Sequence, residues 1–120
     1  MSAVTRRGLL KAGAVAGAAV AVPAGAMAFK TGALVVHDSR EPHSLAFARM
    51  TGGTGIDLAV EHAQRFAGLR AGLPKGRGIE GLTRWSDYVA LRRELFRQGF
   101  RVTAEARSGA LIRWSMAAPR

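Results

Sequence analysis

The chain has 120 residues, 48% of them apolar and 22% charged, a balance that fits one small globular domain and excludes disorder throughout. Eighteen Lys and Arg against eight Asp and Glu give a net charge of +10, which favours anionic partners. The absence of cysteine excludes disulfides, thiolate catalysis, iron–sulfur ligation and cysteine zinc sites, and leaves the redox compartment open.

The chain opens on Thr5-Arg6-Arg7-Gly8-Leu9-Leu10-Lys11, then an uncharged run of Ala, Gly and Val from Ala12 to Val22, then Pro23 and Ala26-Met27-Ala28. This order resembles the bacterial twin-arginine export signal, Ser/Thr-Arg-Arg-x-Phe/Leu-Leu-Lys, with Leu9 in the Phe slot. The resemblance implies that Arg6 and Arg7 are read by the twin-arginine translocase, and that the protein is exported folded to the periplasm. Ala26 and Ala28 form an A-x-A cleavage site. Cleavage after Ala28 divides the chain into a signal, 1–28, and a domain of 92 residues, 29–120. Arg6, Arg7 and Lys11 leave with the signal, so the domain keeps +7, carried mainly by arginine. The alternative is an uncleaved inner-membrane anchor, because Leu9 to Phe29 is just long enough to cross a bilayer. Ala and Gly add little transfer energy, which favours cleavage.

Gly32 to Asp38 is an apolar run ending in polar residues, as in a strand buried on both faces. Ser39-Arg40-Glu41-Pro42 reads as a helix entry, with Leu45, Ala48 and Met50 as a short apolar face and Thr51-Gly52-Gly53 as the stop. Ile56 to Ala59 is a short strand. From Val60 to Leu73, apolar residues recur at helical spacing, with Glu61 and Arg65 paired on the other face. Gly72, Pro74, Gly76 and Gly78 make a flexible connection to a strand over Ile79 to Leu82.

The clearest unit follows. Ser86 reads as the N-cap of a helix, with Asp87 in its first turn. Tyr88, Leu91 and Leu95 form its apolar row, widened by Val89 and Phe96. Gly99 suits the left-handed position beyond the helix, with Phe100 folding back onto Leu95. Arg101 to Arg107 alternates, placing Val102, Ala104 and Ala106 on one face and the charged residues in water. Ser108-Gly109 is a hairpin turn, and Ile112, Trp114 and Met116 share a face of the last strand.

The order β-α-β-α-β-α-β-β predicts a small α/β three-layer sandwich, its sheet mostly parallel with a C-terminal antiparallel hairpin; a ferredoxin-like α+β arrangement is the alternative. A domain of this size buries a limited share of its surface, and homodimerisation would steady it. In parallel sheets ligands sit beyond the carboxyl ends of the strands. That rule selects Asp38, Ser39 and Arg40 after the first strand, Asp57 after the second, and Arg84, Trp85, Ser86 and Asp87 after the third. Arg40 and Arg84 would grip an anion, the helix start near Ser86 would help, and Trp85 would supply a flat wall. The same residues are also what helix capping alone would place there.

An enzyme reading uses the same edge: Asp38, Ser39, Arg84 and Asp87 as a small hydrolase, or His37 and His43 with Asp38 or Asp57 around a divalent metal. Ser39 lacks a nucleophile elbow, no metal-ligand spacing is present, and His62 reads as solvated. Gly52-Gly53-Thr54-Gly55 lacks the Gly-Lys-Ser/Thr of a phosphate loop. No cofactor is therefore expected. Arg92, Arg93 and Arg97 accompany no nucleic-acid-binding pattern, so nucleic acid is not an expected partner; the anionic membrane surface is an alternative. The GLTRWSD segment before the helix resembles small alphaproteobacterial twin-arginine-signal proteins, a resemblance that implies no activity. The sequence thus points to a non-enzymatic periplasmic binding or accessory module for an anionic small molecule or a partner protein.

Overall fold

The computed structural model describes residues 20–21, 32–51 and 55–119. Its elements are β1 (Val20–Ala21), β2 (Leu34–His37), α1 (Pro42–Thr51), β3 (Gly55–Asp57), α2 (Leu58–Ala63), α3 (Ala67–Arg70), β4 (Ile79–Arg84), α4 (Trp85–Arg97), β5 (Arg101–Ser108) and β6 (Leu111–Ala117). The domain is a small α/β unit with a mixed sheet in the order β1-β5-β6-β4-β2-β3. β2 lies between two parallel neighbours, β3 and β4, and its residues 34–36 are buried, as a continuous apolar run requires. β6 pairs antiparallel with both β4 and β5, so the C-terminal hairpin is joined to the sheet through its second strand. The sheet is therefore mixed: β3, β2 and β4 run parallel, and the C-terminal hairpin is antiparallel.

Period-2 alternation assigns the two faces. On one face, Leu34, Val36, Ile79, Ile112, Trp114 and Met116 pack with Leu58, Leu69, Tyr88, Leu91, Leu95 and Phe100 of the following helices and turns. Tyr88 of α4 stacks on Trp114, ring centroids 5.0 Å apart. On the other face, Phe47 of α1 lies over the Arg113 guanidinium at 4.9 Å, and Arg113 Nη2 donates to Glu80 Oε1 at 2.7 Å, both side chains nearly inaccessible. This ion pair joins β4 to β6 inside the domain.

Helix α4 ends as its sequence dictates. Gly99 adopts φ +100°, its N–H donates to Phe96 O, and the Phe100 N–H donates to Leu95 O, closing a Schellman motif. Its start differs from expectation. The helix begins at Trp85 and the capping position falls on Arg84, which makes no side-chain cap bond, so Ser86 lies inside the first turn. Three further corrections have local causes. The predicted helix over 60–73 is two short helices, broken where Arg65 and Phe66 take positive φ. Glu61 drives that break: its buried carboxylate accepts the Leu69 N–H at 3.0 Å and bonds Gln64, so it does not pair with Arg65. Val89 and Phe96 do not widen the buried row: Val89 is half-buried and Phe96 is 43% exposed.

The third correction concerns β5. A bulge between Val102 and Ala104 resets its alternation: Val102 pairs with Met116, but Glu105 pairs with Trp114 and Arg107 with Ile112. Partners across a ladder share a face, so the extra residue turns Glu105 and Arg107 toward α4 and sends Ala104 and Ala106 to the opposite side.

Candidate functional site

The carboxyl ends of β2, β3 and β4 bring several of the predicted residues together. Asp38 is buried, and its carboxylate takes both prongs of the Arg40 guanidinium, Nε to Oδ1 and Nη2 to Oδ2, each at 2.8 Å. It also accepts the Arg40 backbone N–H at 2.9 Å. The hydrogen bonds from Arg40 hold the Asp38 carboxyl below the usual carboxylate range, against the opposing effect of burial. Behind it, the Asp38 N–H donates to Ser44 Oγ, and that hydroxyl donates to Leu82 O, tying β2 to β4 through α1. Ser44 is fully buried and was not singled out by the sequence, where one Ser in a helix carries no distinguishing signal.

Asp57 caps α2 by accepting the Ala59 N–H, and it also accepts the Ser39 N–H, both at 3.0 Å. Burial pushes this carboxyl up, but the bonds from Ser39 and Ala59 outweigh it and leave the group below its ordinary value. Arg40 Nη2 lies 3.8 Å from Asp87 Oδ2, and Asp87 Oδ1 bonds His62 Nε2 at 2.8 Å. A continuous chain Asp38–Arg40–Asp87–His62 thus crosses this edge. His62 is exposed, as its sequence position predicts, while its ring is held by Asp87 and packs on Phe66. Arg84 does not join the chain; it pairs with Glu41, Nε to Oε2 at 2.9 Å. Both arginines expected to grip an anion are therefore already neutralised by carboxylates of the same chain. Ser86 is exposed.

Trp85 opens a different part of the same end. It is 54% exposed, tilted on Tyr88 at 5.8 Å, with the Arg92 guanidinium 5.9 Å from its ring centroid and 5.2 Å from that of Tyr88. Glu105 anchors this cluster by accepting from the Tyr88 hydroxyl and from Arg92 Nη1. Burial first, and then the bond to Glu105, push the Tyr88 phenol well above its ordinary value. Beside Trp85 lies a cleft of about 270 Å³ lined by Arg107, Ala110, Leu111 and Ile112. Arg107 is exposed and has no carboxylate partner among the described residues. Sequence alternation had placed Arg107 on the water face. Only the bulge brings it beside the indole, and no composition signal marks a bulge.

Among the described residues no group of three or more His, Asp or Glu is placed to hold a metal ion, and no helix is long and apolar enough to cross a membrane. Arg6, Arg7, Ala26 and Ala28, the predicted export and cleavage residues, lie outside the described residues. The fold is thus a small α/β domain whose carboxyl-end edge carries a polar chain and, next to it, an indole–guanidinium cleft. The chain matches no protein-family profile, no curated protein and no solved structure.

Proposed function

We propose that this protein is an exported periplasmic binding or accessory module, with residues 1–28 as a twin-arginine signal removed after Ala28 and residues 29–120 as the working domain. We read the domain as a three-layer α/β sandwich; the parallel neighbours on both sides of β2 favour this over a ferredoxin-like arrangement. The ligand end is the Trp85–Arg107 cleft, and its ligand is a small anion with a flat or apolar body. One observation carries the reading: Arg107 lacks a carboxylate partner among the described residues and lines the same cleft as an exposed indole, whereas Arg40 and Arg84 are paired. A guanidinium with open donors binds carboxylate or phosphate oxygens, and the indole and Ile112 accept the apolar part.

Thermal denaturation with benzoate, acetate and inorganic phosphate tests this, because a ligand that binds only the native state raises the midpoint. Benzoate should raise the midpoint of the wild type in a concentration-dependent way and leave Arg107→Ala unmoved. No shift with any of the three, or an equal shift in the variant, contradicts the reading. The mass of the protein recovered from periplasm separates a signal cleaved after Ala28 from an inner-membrane anchor.

A second reading is a small hydrolase, favoured by the 2.8 Å contact of His62 with Asp87. A carboxylate-held imidazole is the orienting half of a general base. Ester hydrolysis lost in both His62→Gln and Asp87→Asn would support it; absence of any hydrolysis by the wild type would dismiss it.

A further inference from the structure

We propose that the open edge of β5 is the docking strand for this chain's own N-terminal apolar segment, in the stretch containing Val20 and Ala21; this rests on reading residues 1–28 as a leader. β5 is satisfied on one side by β6, apart from the bulge at Thr103. On its other side, among the described residues, only β1 meets it, parallel, with Val20 opposite Ala104 and Ala21 opposite Glu105. An edge strand leaves a row of backbone donors and acceptors that an extended segment completes. The pairing starts just past the bulge between Val102 and Ala104, where the strand has regained regular geometry.

Helix α4 frames this edge. Trp85, Val89, Arg92 and Phe96 recur at i, i+4, i+7 and i+11 on one stripe, and both aromatics are exposed. Arg92 bonds Glu105, the residue opposite Ala21, so the stripe runs beside the part of β5 that accepts β1. An apolar stripe next to a sheet edge that accepts a parallel strand suits an uncharged segment. Residues 12–22 supply one: Ala, Gly and Val without a charge. Folding of the domain then holds Val20 and Ala21 of the leader on the sheet. Cleavage after Ala28 removes that strand and leaves the β5 edge open in the exported form.

The chain has no cysteine, which makes disulfide trapping clean. In the full chain, Val20→Cys with Ala104→Cys should form an intramolecular disulfide under mild oxidation, because paired strand residues fall inside the Cα range a disulfide spans, about 4.4–6.8 Å. Val20→Cys with Val60→Cys, the latter beside the opposite edge of the sheet, should not. Equal trapping in the two pairs overturns the proposal. Hydrogen exchange gives a second reading: Ala21→Pro should speed the edge-facing amides of residues 103–106 about tenfold while β4 and β6 hold. Unchanged exchange there also overturns it. Arg6→Lys with Arg7→Lys should abolish export. Export that persists would overturn the leader reading alone and leave the docking measured by the disulfide standing.

Discussion

The indole of Trp114 occupies the space that a side chain at position 81 would need: a Cβ built on Gly81 would lie 2.3 Å from Trp114 Cε2. Trp114 is fully buried, stacks on Tyr88, and donates its indole N–H to Thr83 Oγ1 at 3.1 Å, so it is held on three sides. Gly81→Ala should destabilise the domain by about 1–3 kcal/mol, the usual cost of overpacking a core. Gly81→Val should cost more. Denaturant midpoints check this, and an unchanged midpoint for Gly81→Ala would mean that the indole is free to move.

Arg113 and Glu80 form an ion pair inside the domain. Arg113→Met should cost about 3–5 kcal/mol, because it breaks a buried ion pair by removing one of its two members. Arg113→Lys keeps the charge but loses the planar fork, and should fall between that variant and the wild type. Equilibrium unfolding orders the three proteins.

Gly99 takes φ +100° as the helix-terminating residue of α4. Gly99→Ala should cost about 1–2 kcal/mol, the penalty of a side chain in left-handed backbone. Gly109, the first turn residue of the C-terminal hairpin at φ +62°, should show the same order of loss. Thermal midpoints measure both.

Those two glycines were legible in the sequence because each sits where a periodic pattern stops. The same holds for the β2 core and for the row Tyr88, Leu91 and Leu95, where burial follows directly from spacing. What was not legible depended on side-chain contacts and strand register that spacing does not carry. Glu61 breaks a helix by reaching the Leu69 N–H, and nothing in its neighbours announces a buried carboxylate. The bulge in β5 moves one residue out of register and so exchanges the faces of Glu105 and Arg107. Asp38, Arg40 and Asp87 lie together at one edge, where the strand–helix order puts them. That Arg40 answers Asp38, while Arg84 turns to Glu41, is decided by side-chain geometry that spacing does not encode.

The Asp38 carboxyl is held below its ordinary value of 3.8 by Arg40. A carboxyl depressed on folding stabilises the native state above its unfolded-state value, and that contribution is lost as pH falls through the lower folded value. Stability should therefore decline as pH drops below about 3.8. In Asp38→Asn the acid limb should be shallower, with lower stability at neutral pH. Midpoints measured across the acid range test both the sign and the window; an acid limb as steep as that of the wild type would show that Asp38 does not contribute.

The most direct measurement of the binding reading follows the two indole N–H signals by NMR while benzoate is added. Trp85 is exposed beside Arg107, and Trp114 is buried, so the two signals should part company. The Trp85 signal should shift to saturation while the Trp114 signal stays still. Arg107→Ala should weaken binding about tenfold or more, as loss of a charge-assisted hydrogen bond does. A Trp85 signal that does not saturate, or that titrates identically in Arg107→Ala, would contradict an anion-binding cleft at this end of the sheet.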